Sequence, residues 1–402
     1  MNGKVFITGL GIISSIGKNV EENLESLLEG RTGTAFPVYL DTIHKEVIPV
    51  SEVKFSEQEL LDRSGLSGKR PVTRTTLLGM LAAREAFENA GLNTLRKLRT
   101  GFISGTSVGG MRKTETYYKE YLKAGANPDF DKYIDTHDCG ESSQTVADAL
   151  SANDFVTTIS TACSSAANAI MLGARLIRSG MLDRVIAGGV DSLTRFTLNG
   201  FNTLMILDKE PCKPFDENRK GLNLGEAAGY IVLESEEAAR EGRRDSLGVL
   251  NGYANTNDAF HQTASSPDGY GAFLAMQKAI QKAGMNPSDI DYINIHGTGT
   301  ANNDLSEGKA MERLFQQVVP RFSSTKAFTG HTLGASGGIE AVFSLLSIRE
   351  NIIFPNLNFT TGMSELSCRP VTSLEKNAGV KTVLSNSFGF GGNNAALVFS
   401  AV

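Results

Sequence analysis

Three residues stand in surroundings suited to chemistry. Cys163 lies in Ile159-Ser-Thr-Ala-Cys-Ser-Ser-Ala-Ala-Asn168, where small residues give way to an apolar-periodic helix. A thiol at a helix N-terminus feels the positive end of the dipole, which favours the thiolate, and small neighbours leave room for a substrate. The commoner role of a cysteine is a buried structural thiol, and Cys139, Cys212 and Cys368 are assigned to it. His296 closes a buried-strand pattern and opens His-Gly-Thr-Gly-Thr300. His331 lies in the glycine-rich run from Lys326 to Glu340 that leads into a helix. Strand ends are where α/β proteins hold ligands. A lone histidine is more often a satisfied core residue, but two pressed between glycines favour function. The two lie 35 residues apart with no HExxH pattern or carboxylate cluster, which argues against zinc. His44, His137 and His261 read as surface or structural. Ser387-Phe-Gly-Phe-Gly-Gly-Asn-Asn394 has neither phosphate-loop register, and no nucleotide cofactor is expected. It reads either as a tight hairpin or as a loop whose N–H groups bind an oxyanion.

The elements that must position these residues alternate between short apolar runs and helical patterns. Strands are expected at Val5–Thr8, Gly101–Ser104, Arg184–Ala187, Gly229–Leu233, Tyr292–Ile295, Thr382–Ser385 and Ala395–Phe399. Helices are expected at Thr75–Asn89, Ser164–Ser179, Glu236–Glu241, Ala272–Ala283 and Gly338–Arg349. Apolar strands alternating with helices predict an α/β fold with sheets covered on both faces. Phe102–Gly110 and Tyr292–Thr300 echo each other, each a strand entering a Gly/Thr-rich loop, and the charged stretch Glu234–Asp245 separates them. Val38–Leu66 and Met111–Asp138 read as surface excursions.

A chain of 402 residues suggests two or three domains or one large duplicated fold. Its 41% hydrophobic and 21% charged residues exclude disorder and coiled coil. The net charge of −5 provides no basic field for nucleic acid or an anionic membrane. No apolar run reaches membrane-spanning length, and Val5–Gly17 reads as a buried strand and turn rather than a leader. Four dispersed cysteines fit a reducing compartment, so a cytoplasmic protein is expected. The 42 glycines point to many tight strand–loop–helix junctions.

Taken in order, these motifs resemble the β-ketoacyl-acyl-carrier-protein synthases, the elongating condensing enzymes of the KAS I/II type in the thiolase-like superfamily. The likeness runs from Val5-Phe-Ile-Thr-Gly-Leu-Gly11 through Gly105-Thr-Ser-Val-Gly-Gly110, Thr161-Ala-Cys-Ser-Ser-Ala166 and Ala187-Gly-Gly-Val-Asp-Ser192. It continues with Pro214-Phe-Asp216, Gly225-Glu-Ala-Ala-Gly229, His296 to Thr300, Lys326 to Glu340 and Asn386-Ser-Phe-Gly-Phe-Gly-Gly-Asn393. The resemblance implies a thiolase-like fold of duplicated βαβαβ halves in five layers, αβαβα. The halves are placed at residues 1–240, carrying the nucleophile, and 241–402, carrying the two histidines. It also implies a dimer, homodimeric or heterodimeric, and acyl carrier protein as the partner that delivers phosphopantetheine-bound substrates. Cys163 would hold the acyl chain; malonyl carrier protein would then lose CO2 and condense with it.

The resemblance assigns roles residue by residue. The N–H groups of Cys163 and Phe390 would form the oxyanion hole, with Phe390 also the gate between acyl and malonyl sites. Neutral His296 and His331 would donate to the enolate, kept neutral by Lys326. Glu340 would pair with Lys326 or order water, Thr298 and Thr300 would bind the pantetheine amides, and Asp304 and Glu307 would support them. Three segments depart from the family pattern: Ala152-Asn-Asp-Phe155, Asp131-Lys-Tyr-Ile-Asp-Thr-His-Asp138 and Arg219-Lys-Gly-Leu-Asn223. Polar groups beside an alkyl pocket cost free energy unless paired, which argues against a housekeeping role in long-chain saturated fatty acid synthesis and leaves fatty acid or polyene/polyketide assembly as the setting of the condensation. A catalytically silent chain-length-factor-like subunit is the alternative; that class replaces the nucleophile, which this chain keeps.

Overall fold

The computed structural model describes residues 3–66, 71–92, 98–124, 132–242, 245–316 and 318–402. Parts of three expected features therefore lie outside the described residues: positions 125–131 of the second surface excursion, Asp131 of the departing segment, and 243–244 of the charged stretch.

Ten strands form one hydrogen-bonded run. In chain order they are β1 (Val5–Ile13), β2 (Thr100–Gly105), β3 (Phe155–Ile159), β4 (Arg184–Asp191), β5 (Ala227–Ser235), β6 (Gly248–Asn257), β7 (Tyr292–Asn294), β8 (Arg321–Ser323), β9 (Thr382–Gly389) and β10 (Asn393–Ser400). Their spatial order is β8-β7-β9-β10-β6-β1-β5-β4-β2-β3. Each half thus runs third, second, fourth, fifth, first. In both, the first three of that order are parallel and the last two antiparallel. Identical order and direction make the duplication explicit. The echoing segments at Phe102 and Tyr292 are the second strand of each half.

Six helices repeat the same pattern: α1 (Arg74–Asn89), α2 (Cys139–Leu150) and α3 (Ser165–Arg178) in the first half, α4 (Tyr270–Ala283), α5 (Ala301–Phe315) and α6 (Ser336–Glu350) in the second. Leu77, Leu78 and Ala82 of α1 pack with Phe102, Ile186 and Tyr230 on one outer face. Ala275 and Met276 of α4 and Met311 of α5 pack with Ile293, Leu384 and Val398 on the other. Between the sheets, Ile170 and Ala174 of α3 meet Val342 and Leu345 of α6, with Val185, Ile231, Val383 and Leu397 from both halves. Ser336 to Ile348 of α6 are all buried, so the helix has no solvent-facing polar face, and its polar residues Glu340 and Ser344 bond internally. Each fully buried Leu or Ile here contributes about 1.5–3 kcal/mol. Among the described residues the two halves of the sheet run join through one short strand pair, β1 with β6, in which Phe6 pairs with Val249 and Ile7 with Gly248, and they face each other across α3 and α6.

The expected strands and helices are present, and β3, β6, β8, α2 and α5 are among the elements that escaped the pattern; β6 is largely buried, but Gly248, Asn251 and Gly252 break up its apolar residues. β3 is half-exposed along its whole length, β8 has three residues, and α2 and α5 open on small or polar residues. The excursion Val38–Leu66 is less superficial than its composition implies: Ile48, Val50, Val53 and Leu60 are buried, and Glu57–Ser64 forms a helix with a Ser56/Glu59 capping box. Met111–Ala124 forms a surface helix with Tyr118 and Tyr121 exposed.

Candidate active site

The duplicated topology brings the N-termini of α3 and α6 side by side, each at the end of a parallel strand. β3 leads into a turn in which Ala162 takes a left-handed conformation, φ 52°. A non-glycine residue there costs about 1–2 kcal/mol, and side-chain bonds hold it. Ser165 Oγ donates to Ala162 O at 2.6 Å and accepts from Thr161 N at 2.9 Å. The turn sets Cys163 immediately ahead of α3, one residue before the N-cap Ser164. Gly389 at the end of β9 lies against it; a Cβ there would stand 3.0 Å from Thr161 O and 3.1 Å from Cys163 N.

His331 enters from the second half. Its Nδ1 accepts the Leu333 N–H at 3.2 Å and faces Ser336 Oγ at 3.0 Å. An accepting Nδ1 places the ring proton of the neutral imidazole on Nε2, which stands 3.0 Å from Cys163 Sγ. His296 follows β7, and Glu307 anchors its backbone by accepting the N–H groups of His296 at 2.9 Å and Gly297 at 2.8 Å. The two imidazoles lie edge to face, centroids 5.4 Å apart at 87°. His296 Nδ1 is buried without a partner among the described residues.

Beneath the histidines Lys326 Nζ forms a buried ion pair with Glu340 Oε1. Burial, and then the Lys326 ammonium, hold both imidazoles well below their usual pKa, so both are neutral at pH 7. The thiol departs from the expectation of a stabilised thiolate. Burial pushes Cys163 up to about 12, opposed by Lys326 and by the Phe390 N–H directed at its sulfur. At neutral pH the group is therefore the thiol. Burial raises Glu340 against the pull of Lys326 and pushes Glu307 to about 7 although three N–H groups donate to it.

A cleft of about 1000 Å³ runs from Cys163, His296 and His331 to a mouth at Met205, Lys220 and Asn302. Thr298 and Thr300 line it, their hydroxyls 2.9 Å apart. Asp304 shapes their loop by accepting the N–H groups of Thr298 at 2.9 Å, Gly299 at 3.1 Å and Phe215 at 2.8 Å. The Phe390 ring stacks on Phe201 at 5.5 Å beside two left-handed glycines, Gly391 and Gly392. Every residue proposed from the sequence thus sits in or directly behind one cleft.

Reading the sequence missed Asp191 as a working part, although it lies inside a quoted motif. Its carboxylate accepts Thr106 Oγ1 and the N–H groups of Ser107, Val108 and Gly334, tying the loop after β2 to the loop before α6. Ser336 and Phe201 were missed too, since a serine and a phenylalanine carry no spacing signal.

Comparison with known proteins agrees with this geometry. Residues 2–239 match the N-terminal domain and residues 247–360 the C-terminal domain of the family of beta-ketoacyl synthases. The chain belongs to the β-ketoacyl synthase family. This synthase is 34% identical to 3-oxoacyl-[acyl-carrier-protein] synthase 2 of Staphylococcus aureus, over 99% of its own length and 98% of the relative's. Among solved structures, it superposes on the ishigamide ketosynthase/chain length factor with TM-score 0.94, 30% identity and full coverage of both chains. A type II polyketide ketosynthase, solved in complex with its acyl carrier protein, matches with TM-score 0.90 at 26% identity, again over both full chains.

Proposed function

We propose that this β-ketoacyl synthase carries out decarboxylative Claisen condensation between a Cys163-bound acyl chain and malonyl-acyl carrier protein, releasing CO2 and a β-ketoacyl-acyl carrier protein. The supporting observation is the neutral Nε2–H of His331 set 3.0 Å from the Cys163 sulfur, with His296 alongside. In the first half-reaction Cys163 loses its proton and attacks the thioester carbonyl of acyl carrier protein. The N–H groups of Cys163 and Phe390 take the developing oxyanion, and the pantetheine thiol leaves with a proton. Losing one such donor typically costs ~10²–10³ in rate. Acylation frees His331 Nε2–H from the sulfur. His296 and His331 then donate to the thioester oxygen of bound malonyl carrier protein as C–CO2 cleavage turns it into an enolate. The enolate carbon attacks the acyl carbonyl, and Cys163 leaves as thiolate. Lys326 keeps the two rings as neutral donors, and Glu340 holds Lys326 in place. Thr298 and Thr300 bind the pantetheine amides; Asp304 and Glu307 fix the backbone beneath them.

The first half, residues 1–240, supplies the nucleophile, and the second, 241–402, supplies the histidines. Acyl carrier protein delivers both substrates, phosphopantetheine arriving on it rather than as a resident group. The partner in the dimer is a second copy or a non-identical subunit, and the setting is cytoplasmic; no described helix is long and apolar enough to cross a membrane. Retention of Cys163 supports the catalytic role over the silent-subunit alternative.

Intact-protein mass spectrometry after incubation with a ladder of acyl-acyl carrier proteins tests this. One acyl adduct, absent in Cys163→Ala and discharged by malonyl carrier protein as a chain two carbons longer, is the expected result. No adduct on any rung, with or without a second subunit, would overturn the catalytic reading.

A further inference from the structure

At the opposite end of α3 from Cys163, some 21 Å along a 14-residue helix, lies a second concavity unrelated to the cleft. α3 and α4 both end on it, and four cations line its space of about 1300 Å³: Lys4, Arg175, Arg178 and Lys282. No carboxylate lines the cavity, and none of the four forms an ion pair among the described residues. A chain with net charge −5 therefore keeps four uncompensated positive charges in one hollow.

The local geometry draws the charges together. Arg178 Cζ stands 5.1 Å and Lys282 Nζ 4.4 Å from the centroid of the same ring, Tyr253. Arg178 Nη2 is tied to Leu250 O at 3.2 Å and Asn251 O at 2.9 Å, while its Nε is buried without a partner. Burial and then the charges of Arg178 and Arg175 depress Lys282, with no acid opposing them. Cations in the last turn of a helix complement its dipole, which accounts for Arg175, Arg178 and Lys282 one at a time. It does not account for Lys4, which belongs to neither helix, or for the convergence of all four on an acid-free hollow.

We propose that this hollow binds a small anion bearing two or more phosphoryl groups. Guanidinium forks and ammonium groups are the donors that phosphate oxygens take, and a charge of −3 to −4 would balance the four cations. The site is separate from the acyl cleft, so its ligand does not compete with carrier-protein substrates.

Titration calorimetry of the full chain with inorganic pyrophosphate, in about 0.1 M salt, tests the assignment. Lys4 and Lys282 are both exposed, so Lys4→Gln/Lys282→Gln removes two charges, and with them the Lys282 contact to the Tyr253 ring, without opening a cavity in the core. Pyrophosphate should bind, monophosphate at least about tenfold more weakly, and the double variant should lose about tenfold or more in affinity. Lys45→Gln, an exposed charge elsewhere, should bind as wild type, and acyl loading of Cys163 should be unchanged in all variants. ATP binding with the same dependence on Lys4 and Lys282 supports a soluble phosphorylated metabolite. Failure to bind pyrophosphate, or equal affinity in the double variant, overturns the proposal. Recruitment to phosphatidylglycerol vesicles without pyrophosphate binding overturns it in favour of a lipid surface.

Discussion

Lys326→Met probes the electrostatic centre of the site. The wild-type pair is 2% and 1% exposed, so neither charge has water as an alternative partner. Removing the ammonium leaves Glu340 with Ser387 Oγ at 3.5 Å as its remaining side-chain partner. Breaking a buried pair from one side costs about 3–5 kcal/mol. For 402 residues the unfolding entropy is roughly 0.8 kcal/mol/K, which converts that loss into a fall in Tm of about 4–6 °C. Glu340 can escape by taking a proton. A carboxyl whose folded pKa is raised holds more protons than the unfolded chain above about pH 4.5, so its contribution is lost as pH rises. The deficit of Lys326→Met should therefore be larger at pH 8 than at pH 5. Lys326→Met/Glu340→Gln removes both charges and should recover at least half of the loss. Differential scanning calorimetry at the two pH values supplies the numbers. A single variant melting within about 1 °C of wild type, or a double variant as unstable as the sum of its singles, would refute the reasoning.

Two further outcomes follow from the geometry. Because burial and Lys326 hold His296 and His331 well below 6.5, malonyl decarboxylation should be flat from about pH 6 to 8, whereas loading of Cys163, raised to about 12, should climb with pH; a decarboxylation step with a midpoint near 6.5 would show that an imidazolium titrates. In Gly389→Ala the backbone, at φ −123°, accepts alanine, but the new Cβ stands 3.0 Å from Thr161 O and 3.1 Å from Cys163 N. Displacing the nucleophile turn should slow loading roughly 10–100-fold with the fold intact, and an acylation time course equal to wild type would mean the turn yields freely.

Much of the fold is legible in the sequence. Buried strands announce themselves through short apolar cores such as Val185–Ala187 and Val383–Leu384, and helices closed by Gly180 and Gly284 announce their ends. Legibility failed where burial is one-sided or absent, and in Gly248–Asn257, where glycines and asparagines interrupt a largely buried strand. The edge strand Phe155–Ile159 and the helix Ala301–Phe315, which opens on Ala-Asn-Asn-Asp, lack the pattern that a covered face imposes. Asp191 sat in plain view in Ala187–Ser192, yet its four donors come from two distant loops, and no local signal reports such a junction.

By itself the sequence determined the α/β class, the family, and the identity of Cys163, His296, His331, Lys326 and Glu340, because residue types and their order in glycine-rich loops are properties of the chain. Only the tertiary structure decided how those residues are set against one another and protonated. The tautomer of His331 depends on an N–H two residues on and a serine five residues on, and its consequence depends on a sulfur 168 positions away. The protonation of Cys163 is the clearest divergence. A helix N-terminus favours the thiolate, but sequence cannot report how completely water is excluded. In the fold, desolvation outweighs Lys326 and the Phe390 N–H and leaves a thiol. Burial is set by everything packed around a group at once, and that sum exists only when the two halves have closed on α3 and α6.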